Sequence, residues 1–114
     1  MQDLTPRFGF FFWPYSPEYT MRMARLGEEY GFDMVGIADT PGNAMDPWVA
    51  MTLAIGATTR VRLATGIVQL GARTPAMLAM TAQSLHARAG SGGGTLMLTV
   101  GEGTIQISQV NSKQ

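Results

Sequence analysis

The chain has 114 residues, 46% hydrophobic and only 14% charged, and its eight basic and eight acidic side chains balance to zero. That length holds one domain around one core, with roughly two-thirds of the unfolded surface buried on folding. The absence of a basic cluster argues against nucleic acid as a partner, the absence of cysteine excludes disulfides and thiolate metal sites, and a lone His86 leaves no histidine-based metal centre. Residues 1–6 show no basic-then-apolar leader, and the longest apolar stretches, 8–15 and 48–57, are too short to span a membrane. A soluble cytoplasmic protein is expected.

The first element is the run Phe8-Gly9-Phe10-Phe11-Phe12-Trp13, bounded by Arg7 and Pro14. Continuous apolar character suits a strand buried on both faces, as in a parallel sheet. Ser16-Pro17 then marks a helix start, because the hydroxyl accepts a free N–H and proline's fixed φ suits the first helical position. This helix should run from Pro17 to Tyr30 and end at Gly31 in a left-handed cap. Its expected apolar stripe is Met23, Leu26, Gly27 and Tyr30. A second strand, 34–38, closes on Asp39, and Asp46-Pro47 opens a second helix to Thr58 with a stripe of Trp48, Met51, Thr52 and Ile55. The third strand is expected at 61–68, and Thr74-Pro75 opens a third helix to Ala87. Met77, Met80, Thr81, Ser84 and Leu85 share a face of that helix. The methionines read as core filler. A glycine-rich connection at 90–94 leads to a fourth strand at 95–100, and the remainder is polar and aperiodic. The connection precedes a strand, so it is no phosphate cradle.

The three helix starts lie 30 and 28 residues apart, each behind a run of β-formers. Such a strand-then-helix repeat specifies an α/β fold with a parallel sheet. Right-handed crossovers place the helices on one face, and the C-terminal strand ends gather 13–15, 39–43, 66–72 and 101–103 on one rim. Spacing alone leaves an open doubly wound sheet and a segment of a closed barrel both in play. Asp39 either caps the turn Thr40-Pro41-Gly42 or offers a carboxylate to a ligand. Gly66 marks a simple bulge or a close backbone approach. Trp13 and Tyr15 are core or the wall of a substrate pocket. His86 reads as a solvent-exposed residue near the end of the third helix.

The stretch 8–13, followed by 16–31 and the run RLGEEYGFDMVGIAD, resembles the first βαβ unit of luciferase-like oxidoreductases. The segment DPWVAMTLAIGATTRVRLATGIVQLGARTPAMLAMTAQSL is similar to that family's second helix, third strand and third helix. The resemblance extends from Arg7 to Leu85. It implies the N-terminal half of a TIM barrel, β1α1β2α2β3α3β4, over residues 1–103, with a polar tail at 104–114. It implies FMN or coenzyme F420 as cofactor, with Asp39 beside the ring as the catalytic candidate. It also implies that Thr65, Gly66, Ile67 and Val68 present backbone to the ring, through a bulge or a non-prolyl cis peptide, with Gly101 near the cofactor. Departures start at SLHARAGSGGG: His86 stands where the family has aspartate, and the arginine after the glycine pair is missing. The later GEGTIQISQ is similar to the deazaflavin reductases. A complete barrel needs about 250 residues. Two readings follow. One is a truncated flavin- or F420-dependent oxidoreductase, a monooxygenase or hydride-transfer enzyme acting on a small molecule. The other is an inactive half-barrel remnant that self-associates, as a homodimer or larger, or binds a partner through exposed strand edges.

Overall fold

Each helix begins where a capping side chain meets a proline. In the computed structural model, which describes residues 6–69, 73–91, 96–97 and 100–101, the Tyr19 N–H donates to Ser16 Oγ at 3.1 Å. The Trp48 and Val49 N–H groups donate to Asp46 Oδ2 at 3.1 and 3.0 Å, and the Met77 N–H donates to Thr74 Oγ1 at 3.3 Å. These caps open α1 (Pro17–Glu29), α2 (Pro47–Ala57) and α3 (Pro75–Ser91). Each satisfies backbone donors that a helix start leaves orphaned, a contribution of about 1 kcal/mol. Gly31 adopts the left-handed conformation just after α1, with φ +81°. The third helix runs past its expected end, so Gly90 and Ser91 are helical rather than part of a linker. Residues 92–95 and the proposed tail at 104–114 lie outside the described residues.

The strands are β1 (Gly9–Phe12), β2 (Met34–Ile37), β3 (Arg62–Thr65), β4 (Val68–Gln69), β5 (Leu96–Met97) and β6 (Val100–Gly101). They form a parallel sheet in the order β1-β2-β3-β5 and a parallel pair β4-β6. The single third strand expected at 61–68 is interrupted: the Gly66–Ile67 peptide is cis, and pairing resumes at Val68. The fourth strand divides in step, β5 pairing with β3 and β6 with β4.

Register decides which side chains share a face. Phe10, Val35 and Leu63 lie abreast, as do Phe12, Ile37 and Thr65. This face packs against the helices, in a core that includes Ala24, Trp48, Met51, Ala54, Ile55, Leu78 and Leu85. Alternation sends Gly9, Phe11, Gly36 and Ala64 to the opposite face. There Phe11 is 60% exposed. The expectation of a first strand buried on both faces is therefore corrected, since the helices cover one face of this sheet. Phe11 lies across Gly36, where a Cβ would come within 1.9 Å of a ring carbon.

All three helical stripes also differ in part from expectation. In α1 the buried positions are Thr20, Ala24 and Gly27, while Tyr30 is exposed. Small residues win because the helix approaches the sheet closely: a Cβ on Gly27 would lie 2.5 Å from Val35 Cγ2. In α3, Leu78 and Leu85 are buried, whereas Met77 and Met80 face outward. Of the α2 stripe, Trp48, Met51 and Ile55 are buried and Thr52 is exposed.

Candidate functional site

Parallel pairing brings the C-terminal strand ends to one rim, the edge that carries chemistry in barrels of this kind. Trp13 and Tyr15 follow β1, Asp39 follows β2, and Gly66 and Ile67 follow β3. Backbone bonds tie these ends together: Ala38 N–H to Phe12 O at 3.1 Å, Gly66 N–H to Ile37 O at 2.7 Å, and Met45 N–H to Pro14 O at 2.9 Å. Gly101 joins the rim through β6, where it stands opposite Gln69.

Asp39 is 5% exposed. It borders a depression of ≈ 370 Å³ whose lining also includes Pro41, Gly42, Met45, Asp46 and Arg73. The loop behind Asp39 closes on the Thr40 carbonyl, which accepts from Asn43 N–H at 3.0 Å and Ala44 N–H at 3.3 Å. Gly42 allows that turn with φ +85°. Next to Asp39 in sequence, the Thr40 hydroxyl is buried and has no hydrogen-bond partner among the described residues.

Arg73 was not singled out by the sequence reading. Its guanidinium forms an ion pair with Asp46 Oδ1 and lies over the Trp48 ring, 5.6 Å from the centroid. Asp46 thus works twice, capping α2 with one carboxylate oxygen and holding Arg73 with the other. The available signal was position: a basic residue immediately before the Thr74-Pro75 start falls on the rim by construction.

The expected cofactor residues divide by exposure. Gly66 is half-buried and Ile67 is 48% exposed. Thr65 and Val68 are buried as whole residues, backbone included. The Phe11 ring supports Gly66, with ring carbons 3.1 Å from where its Cβ would be. Trp13 and Tyr15 are exposed and lie outside the Asp39 depression; Tyr15 leans toward Tyr19, ring centroids 6.2 Å apart. His86 is exposed on α3. Among the described residues, no helix is long and apolar enough to cross a membrane.

The profile of the luciferase-like monooxygenase family matches residues 7–111. Among solved structures, the coenzyme F420-dependent tetrahydromethanopterin reductase from Methanopyrus kandleri is similar, with a TM-score of 0.78 and 23% sequence identity. The similarity covers 92% of this chain and 30% of that enzyme, so the chain spans under a third of its length. No curated protein matches. The parallel β/α order thus corresponds to the N-terminal part of a TIM barrel, and the chain belongs to the luciferase-like monooxygenase family.

Proposed function

We propose that the rim binds FMN or coenzyme F420 and orients it for oxidoreduction of a small molecule. The observation that carries this reading is the buried Asp39 carboxylate bordering a depression at the C-terminal strand ends. The residues present fit a ring with polar edges. Asp39, on the lining of that depression, is an acceptor for a ring N–H. Gly66 leaves backbone open to close approach, with Phe11 behind it. When bound, a flavin supplies oxygen activation and a deazaflavin supplies hydride transfer. The chain's own task is to bind the ring, fix its orientation and bias its protonation through Asp39. Trp13 and Tyr15, exposed on the same rim, would flank the substrate. The F420-dependent neighbour favours the deazaflavin.

The test is a fluorescence-quenching titration of the purified chain with FMN and with F420. Saturable binding that Asp39→Ala weakens by about tenfold, roughly 1.4 kcal/mol, supports the reading. No saturable binding of either ligand overturns it.

A second reading draws on Phe8, Phe11, Trp13 and Tyr15, all exposed around β1. In it the chain is a self-associating module, and a second copy covers these exposed aromatic side chains. A net charge of zero leaves no long-range repulsion between copies.

A further inference from the structure

We infer that Arg73 is a specificity-determining residue of the Asp39 depression, recognising a neutral carbonyl oxygen on the edge of the bound ring. The inference rests on the rim being the ring-binding site. Arg73 is held from two sides, by the Asp46 carboxylate and by the Trp48 ring face. Holding a guanidinium this way removes much of the rotamer freedom that a ligand contact would otherwise have to freeze. Nη2 reaches Asp46. Arg73 also lines the depression that Asp39 borders.

Charge selects what Arg73 recognises. Asp39 and Asp46 set two carboxylates against one guanidinium in this depression. A phosphate entering there would meet more repulsion than attraction, whereas a carbonyl oxygen accepts from the guanidinium without adding charge. Asp39 takes ring N–H donors, and Arg73 supplies donors to ring oxygens. The ligand class is therefore a heteroaromatic ring with an amide or imide edge, and any phosphate tail lies outside this depression.

Riboflavin and FMN share that edge and differ in the phosphate, so they separate the two possible contacts. Equilibrium titrations would compare wild type, Arg73→Gln, Arg73→Lys and Asp46→Asn with both ligands, alongside each variant's thermal midpoint. Wild type should bind the two ligands within about threefold of each other, and Arg73→Gln should weaken both by about tenfold. Asp46→Asn keeps a good helix cap while removing the ion pair, and should change affinity less than Arg73→Gln. Arg73→Lys retains the charge without the planar fork and should fall between; it keeps the test open if the glutamine variant fails to fold. Unchanged binding in both Arg73 variants overturns the inference. So does a loss confined to FMN, which would mean phosphate recognition, or an equal loss in Asp46→Asn, which would mean a purely structural role. If folded wild type binds F420 but neither flavin, the same variants are compared on F420, where unchanged binding in both Arg73 variants overturns the inference; if it binds none of the three, the rim reading fails and Arg73 recognition fails with it.

Discussion

Gly27 and Gly56 are both helical glycines, and their surroundings set them opposite tasks. A Cβ on Gly27 would lie 2.5 Å from Val35 Cγ2 and 3.1 Å from the Phe10 ring, whereas a Cβ on Gly56 would have nothing within 4 Å. Alanine gains about 1 kcal/mol over glycine from helix propensity at either position. At Gly27 that gain meets overpacking against a fully buried valine, a cost of about 1–3 kcal/mol. Urea unfolding should therefore show Gly27→Ala destabilised by about 1 kcal/mol and Gly56→Ala stabilised by about 0.5–1 kcal/mol. Stabilisation of both would mean that α1 stands farther from the sheet than these distances require. The sequence reading placed Gly27 on the buried stripe but gave Tyr30 equal standing there. Period alone marks a face; the closeness of the sheet decides which residue sizes that face admits.

The connection between elements far from the rim depends on Glu28, at the end of α1. Its carboxylate accepts from three consecutive backbone N–H groups in the loop before β3: Thr59 at 3.0 Å, Arg60, and Val61 at 3.0 Å. Arg60 Nη2 returns a bond to the Glu28 carbonyl at 2.6 Å. Burial raises the Glu28 carboxyl pKa, but the backbone donors and the Arg60 charge outweigh it and hold the group below its ordinary 4.5. A carboxyl depressed in the folded state adds stability that is complete above its unfolded pKa and lost as pH falls through the folded one. Glu28→Gln should therefore cost about 1–2 kcal/mol near neutrality, a partly solvated share of what charged hydrogen bonds contribute. The gap between wild type and variant should narrow as unfolding is measured at pH values falling below 4.5. A gap independent of pH would mean that shape, not charge, carries the connection. The helix starts at Ser16, Asp46 and Thr74 were legible because a cap is a local event within four residues. The Glu28 connection spans 31–33 residues and exists only once α1 lies against the following loop.

At the scale of the whole molecule, the sheet's asymmetry was the least legible feature, because a run of aromatic residues does not say how many faces will be covered. The rim followed from strand order alone, and Asp39 with it. Arg73 did not, since its role needs the starts of α2 and α3 to meet, 27 residues apart in sequence. The same asymmetry makes the last prediction. One face of the sheet is packed by three helices, while the other presents Phe11 at 60% exposure beside the small residues Gly9, Gly36 and Ala64. Burying a phenylalanine is favourable by roughly 1.5–3 kcal/mol, and two copies meeting face to face would bury one from each. Among the described residues β1 pairs on one side only, with β2, so its other edge offers unpaired backbone groups to the same contact. Sedimentation at micromolar concentration should show the 114-residue chain as a dimer or larger. Phe11→Lys places a charge on the contact and should shift the distribution toward monomer. A wild-type chain that sediments as a well-folded monomer would mean that Phe11 tolerates water, and would remove the self-association reading while leaving the Asp39 depression as it is.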